Sequence, residues 1–173
     1  MLNYIPALPK EAFIQDLQIK EISPIMKLIV RGKKREFISA VGKSLNILLP
    51  TEANTSTQSD KLTALWLSPD EWMIFSNYTM NKDLNDYETE KLLQNNISKI
   101  NLGAVTDVTD QFVMINLKGN KIYELFQRGS PFNFNNFQNK KGATTQTILG
   151  KIDIIVHNQD KNTVNLFVRR SFS

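Results

Sequence analysis

The 173-residue chain contains no cysteine and only one histidine, His157. The first absence removes disulfides, thiolate nucleophiles, iron–sulfur clusters and cysteine zinc sites together. The second excludes any site that needs two imidazoles. The seven glycines are scattered singly, so no G-x-G-x-x-G fingerprint or Walker A loop can be drawn, and G-x-S-x-G is missing too. No apolar run approaches the roughly 20 residues that a membrane span requires. The opening MLNYIPALPKEAF carries Pro6 and Pro9 and no basic segment followed by an apolar one, so a cytoplasmic protein with no membrane partner is expected. Charge of one sign is also scarce, with 21 Lys and Arg against 17 Asp and Glu. Sixteen of those cations are Lys, beside 18 Asn and 17 Ile, the bias an AT-rich genome produces. The densest basic run, Lys33-Lys34-Arg35, is no cluster with interleaved aromatics, and no nucleic-acid partner is expected.

What is present is a series of short extended runs and a few helical ones. After a Pro-marked arm over residues 1–16, Leu17-Gln18-Ile19-Lys20-Glu21-Ile22 alternates as a half-buried strand does. Residues 25–30 read as a second strand, ended by Arg31-Gly32. Phe37, Ile38, Val41 and Leu45 fall at helical spacing over 34–45, with Gly42 the weak point. Residues 46–49 read as a strand stopped by Pro50, and TEANTSTQSDK as a mobile polar loop. ALWLSPDEWMIFS is a hairpin turning at Ser68-Pro69-Asp70-Glu71. A helical pattern over 83–99 is followed by an extended stretch, 105–117, bent at Asp110-Gln111. Ile122, Leu125 and Phe126 make a short helix with Gly129 just past its end and Pro131 as the stop. A loop over 133–142 and strands at 144–149, 152–157 and 164–169 complete the chain.

The order is ββαβββα followed by ββαβββ. Met26-Lys27-Leu28-Ile29-Val30-Arg31-Gly32 has a counterpart in Val113-Met114-Ile115-Asn116-Leu117-Lys118-Gly119, each an apolar strand ending in a cation and glycine before a helix. The pattern predicts one α+β domain over 17–173, built of two similar halves (about 17–100 and 104–173) with mostly antiparallel sheets.

Candidate chemistry is thin. A Ser-His-Asp triad would have to use His157, which reads as a polar turn residue at a strand end. Asp107 and Asp110 lie three apart in an extended segment and so face opposite ways. Trp66 and Trp72 read as core residues flanking the hairpin turn. Two groups suggest a partner surface. Phe132, Phe134 and Phe137 sit in a polar loop, where aromatics suit an interface. Arg169, Arg170 and Phe172 follow the last strand, pairing a planar cationic fork with an aromatic anchor.

Four segments are similar to the gamma subunit family of heterotetrameric sarcosine oxidase. They are Ala64-Leu65-Trp66-Leu67-Ser68-Pro69-Asp70-Glu71-Trp72, Val105-Thr106-Asp107-Val108-Thr109-Asp110, Gly129-Ser130-Pro131-Phe132 and Phe167-Val168-Arg169-Arg170-Ser171-Phe172. The turn Thr147-Ile148-Leu149-Gly150-Lys151 is similar too. One departure is Ser130, where the family often has Cys.

The resemblance implies a duplicated β2-α-β3-α unit like the folate-binding domain of glycine-cleavage aminomethyltransferase. It implies alpha, beta and delta partner subunits that carry FAD, FMN, NAD, tetrahydrofolate and a zinc site, and that demethylate sarcosine oxidatively to glycine. This chain would hold no cofactor or metal and no catalytic residue, since no folate-contacting residue can be matched onto it. Two alternatives stay open: a free-standing folate-binding or one-carbon-transfer protein, and the equivalent subunit of a related N-methyl amino acid dehydrogenase. Fold alone does not choose between them.

Overall fold

The alternation that starts at Leu17 forms a strand, and the segment before it forms another. The computed structural model describes residues 4–80 and 87–173. In chain order it holds β1 (Ala12–Ile14), β2 (Leu17–Glu21), β3 (Lys27–Arg31), α1 (Arg35–Leu45), β4 (Ser56–Gln58), β5 (Leu62–Ser68) and β6 (Glu71–Ser76). There follow α2 (Tyr87–Leu93) running into a π-helical turn (Gln94–Ser98), β7 (Ala104–Asp107), β8 (Phe112–Gly119) and α3 (Ile122–Gly129). The chain closes with β9 (Thr144–Leu149), β10 (Ile152–Asp160) and β11 (Thr163–Arg169), plus 3-10 turns at Phe137–Asn139 and Arg170–Phe172.

Two compact units result. A continuous unit, Ile25–Thr109, holds a five-stranded sheet of order β4-β5-β6-β3-β7. A split unit, made of the residues up to Pro24 and Asp110–Ser173, holds a six-stranded sheet of order β1-β2-β8-β11-β10-β9. Every strand pairing is antiparallel. The expected duplication is visible in the order. The run β3-α1-β4-β5-β6 gives β4-β5-β6-β3, and β8-α3-β9-β10-β11 gives β9-β10-β11-β8.

The expected half boundaries need correction. β2 precedes the first repeat yet pairs with β8, and β7 precedes the second yet pairs with β3. The units therefore divide at Pro24/Ile25 and Thr109/Asp110, not near residue 100. Alternation tells a strand which face to bury; it does not say which sheet edge to join. The bend expected at Asp110-Gln111 is the break between β7 and β8. The arm expected over 1–16 is not all arm, because β1 pairs with β2 across a turn in which Gln15 takes φ 54°.

Other expectations change locally. Residues 46–49 form no strand: Asn46 caps α1 in the left-handed region (φ 51°), and Ile47 and Leu49 are buried from an irregular segment. Part of the polar loop is β4, paired with β5 from Ser56↔Leu65 to Gln58↔Thr63. Of the helix expected over 83–99, residues 83–86 lie outside the described residues. The rest forms as α2 and the π turn, burying Leu93 and Ile97. Gly129 is the last helical residue and not a left-handed cap, since Ser130 leaves it in extended conformation.

Each unit has its own core. In the continuous unit, Phe37 and Val41 of α1 pack with Leu28, Val30, Trp72 and Ile74, and the Phe37 and Trp72 rings lie 5.9 Å apart. The Trp72 indole N–H donates to the Pro50 carbonyl at 2.7 Å, so burying its ring leaves no orphaned donor. In the split unit, Ile122, Tyr123 and Phe126 of α3 pack on Leu117, Ile154, Val156, Val164 and Leu166. The shared glycine after β3 and at the end of β8 answers two different contacts. A Cβ on Gly32 would meet the Phe37 ring at 2.4 Å, whereas one on Gly119 (φ 141°) would meet the Asp16 carbonyl oxygen at 1.8 Å.

Candidate functional site

The polar loop after α3 turns its aromatics inward. Phe134 is fully buried and Phe137 nearly so, while Asn133 before them and Asn135 and Asn136 between them are exposed. Phe134 lies 5.0 Å from Phe126, and Phe132, half-buried, meets Phe134 edge-on at 4.8 Å. The Asn158 amide holds the loop down by donating to the carbonyls of Phe137 (2.8 Å) and Lys140 (2.9 Å). Phe134 and Phe137 are thus core residues and not partner contacts, which corrects the expectation from sequence. Their i, i+3 spacing, one turn of helix, was the signal of a shared inward face.

The histidine is also displaced from its expected place. β10 continues to Asp160, so His157 sits within a strand, buried, with Thr144 and Asn165 as its cross-strand neighbours. Burial lowers its pKa to about 4, so the imidazole is neutral at neutral pH. Asp107 and Asp110 fall in different units. Asp107 accepts the Thr109 N–H at 2.8 Å in the continuous unit, and Asp110 belongs to the other. Among the described residues no group of three or more acidic or histidine side chains could hold a metal ion. Asp70 serves the hairpin turn, accepting from the Ser68 hydroxyl at 2.8 Å and standing 4.0 Å from Arg31. Ser130 shares a hydrogen bond with the Thr147 hydroxyl at 3.1 Å.

The residues after the last strand remain as the candidate site, and they divide into two places. Arg169 ends β11 opposite Phe112, in the register where Val168 pairs with Val113. Val113 and Val168 turn into the α3 core, so alternation sends Phe112 and Arg169 to the opposite face. There they line an open groove of about 390 Å³ with Gln146, Ile148, Asp153 and Ile155. Arg169 and Ile148 are exposed, and Phe112 is half-buried. Among the described residues the Arg169 guanidinium makes no hydrogen bond or ion pair. A guanidinium beside apolar side chains suits a carboxylate or carbonyl from another molecule.

Arg170 is occupied within its own chain. Its guanidinium donates to the Tyr4 hydroxyl at 2.9 Å and to the Ile5 carbonyl, and lies 4.8 Å from the centre of the Tyr4 ring. Tyr4 in turn donates to Glu21 at 2.7 Å, and the other Glu21 oxygen accepts the Leu8 N–H at 2.7 Å. Burial alone would raise the Glu21 pKa, but hydrogen bonds from the Leu8 N–H, the Tyr4 and Ser23 hydroxyls and the Ala7 N–H together outweigh it and hold the carboxyl below its usual range. Burial and the bond to Glu21 raise the Tyr4 phenol, and the Tyr4 bond raises the Arg170 guanidinium. Phe172, at 59% exposure, reaches no core.

Known proteins share this architecture. Residues 31–173 match the sarcosine oxidase, gamma subunit family. A chain of heterotetrameric sarcosine oxidase from Corynebacterium sp. U-96, in complex with pyrrole 2-carboxylate, superposes with a TM-score of 0.82 at 16% identity, over 98% of this chain and 88% of that one. Glycine cleavage system aminomethyltransferase T from Bartonella henselae gives 0.60 at 14% identity, over 91% of this chain and 43% of that one. No curated protein matches. At such identities the likeness is one of fold, and it is the fold expected from the sequence.

Proposed function

The chain belongs to the sarcosine oxidase gamma subunit family, and from that premise we propose that it is a non-catalytic subunit that helps to assemble or stabilise a heterotetrameric sarcosine oxidase in the cytoplasm. Alpha, beta and delta chains would be its partners. They would carry FAD, FMN, NAD and tetrahydrofolate, demethylate sarcosine to glycine and pass the methyl carbon to tetrahydrofolate. The sequence supports this division of labour, since it has no dinucleotide fingerprint, no cysteine and one histidine. The lone histidine is buried within β10, out of hydrogen-bond reach of a substrate bound at the surface.

The observation that carries the proposal is Arg169. It stands exposed and unpaired among the described residues, beside Phe112 and Ile148 in a shallow groove. An interface would give that guanidinium a carboxylate and cover the apolar pair. The test is co-expression with tagged alpha, beta and delta chains. Arg169→Glu should leave thermal unfolding within a degree or two of the parent, as exposed substitutions do, and abolish co-purification. Unchanged assembly would remove the groove from the interface. Calorimetry on the isolated chain checks the rest: micromolar tetrahydrofolate binding (about −8 kcal/mol) or a flavin spectrum would overturn the non-catalytic reading.

A further inference from the structure

The groove that holds Arg169 also holds an acid, Asp153. Antiparallel register lays its outer residues in one row across four strands. Arg169 of β11 stands opposite Phe112 of β8, and Asp153 of β10 opposite Ile148 of β9. The pairing of Ile154 with Val168, carried on by one step, sets Asp153 beside Arg169. The row therefore reads Phe112, Arg169, Asp153, Ile148, a cation and an anion between two apolar ends. Both charged residues are exposed, and among the described residues the Asp153 carboxylate, like the Arg169 guanidinium, makes no hydrogen bond or ion pair. Among the described residues no other charged side chain lines the groove. At its border stand Lys151 in the turn after β9, Asp110 before β8, and Arg170. Arg170 is bound to Tyr4 and Ile5, and the Glu21 and Asp110 carboxylates both act on its charge. The border thus adds no surplus of either sign.

We propose that Asp153 sets which partner chain the groove accepts. Its occupant is a partner segment that brings a carboxylate to Arg169 and, beside it, a lysine or arginine to Asp153, with apolar side chains over Phe112 and Ile148. The proposal rests on the subunit reading above and names the chemistry of the partner's surface. A purely acidic surface would satisfy Arg169 but press a like charge against Asp153, and like charges juxtaposed across an interface repel strongly enough to exclude a partner. A purely basic surface would fail in the opposite way. A partner with both charges in matching order leaves neither group desolvated and unpaired.

The experiment is capture of the full chain by tagged alpha, beta and delta chains, with thermal unfolding of each variant as the check on its fold. Asp153→Asn should weaken capture about tenfold, because the partner's cation loses its counter-charge. Exchanging the two charges, Arg169→Asp with Asp153→Arg, should abolish capture although the net charge is unchanged. If Asp153→Asn fails to fold, Asp153→Ser removes the same charge with a smaller side chain. Unchanged or stronger capture of Asp153→Asn would overturn this proposal, and if Arg169→Glu still fails to be captured, the subunit reading stands. Normal capture of the exchanged pair would show that the order of charges does not matter and would overturn the proposal too. A parent chain that no tagged subunit captures would overturn the subunit reading itself, and this proposal with it.

Discussion

The two units share a strand order around one helix, but they close their cores with different pieces of chain. In the continuous unit, the connection from α1 to β4 supplies two aliphatic side chains, Ile47 and Leu49, while Leu93 and Ile97 of the later helical segment complete the packing. In the split unit, the equivalent connection from α3 to β9 supplies Phe134 and Phe137, with Phe132 at the margin. A repeated fold thus preserves how strands pair and where the helix lies. The remaining apolar surface is covered by whatever chain is nearest, because burial is non-directional and scales with area.

The strongest way to break this comparison is to empty each connection. Phe134→Ala should cost about 3–5 kcal/mol and Leu49→Ala about 2–3 kcal/mol in urea unfolding. An equal or reversed ranking would show that the aromatic plug carries no more than its aliphatic counterpart.

Acid should separate the units next. His157 belongs to the split unit, and its pKa is lowered by burial to about 4 from 6.5. The unfolded chain therefore binds more protons in that window, and stability must fall as the pH falls through it. At about 1.4 kcal/mol per pH unit the loss is on the order of 3 kcal/mol. Its cross-strand neighbours Thr144 and Asn165 do not titrate there. His157→Asn should flatten the profile above pH 5 and leave the further loss as the lowered Glu21 carboxyl is protonated. A parent profile that is flat between pH 6.5 and 5 would refute the assignment.

The smallest difference concerns the equivalent glycines. Gly32→Ala presses on a side-chain ring and should cost about 1–2 kcal/mol. Gly119→Ala presses on backbone in a conformation L-residues avoid, and should reach about 3 kcal/mol. Thermal or urea unfolding of the pair ranks them. A costlier Gly32→Ala would mean that the Asp16 turn yields more easily than the Phe37 ring.

Some of this was legible from the residues in order. The alternation at Leu17, the helical spacing of Phe37 and Val41, the turn at Ser68-Pro69-Asp70-Glu71 and the repeated strand with its terminal cation and glycine all lie within single elements, where side-chain period reports which face is buried. The family resemblance rested on such local segments too, and residues 31–173 match that family. The Phe132–Phe137 segment was misread because a loop aromatic looks the same whether it covers a core or awaits a partner. His157 was misread because nothing nearby shows that β10 runs on to Asp160.

What sequence determined by itself was the α+β class, the duplication and the lack of cysteine and of a phosphate-loop pattern, each a consequence of residue type and short-range spacing. Tertiary structure alone decided the exchange of β2 and β7 between sheets, because register is set by pairing partners far along the chain. It also separated two adjacent arginines. Arg169 is left to the groove, and Arg170 is spent on Tyr4, 166 residues away. Arg169 ends the strand and Arg170 begins the 3-10 turn after it, so the backbone changes direction between them, and only the assembled sheet shows what each side chain meets.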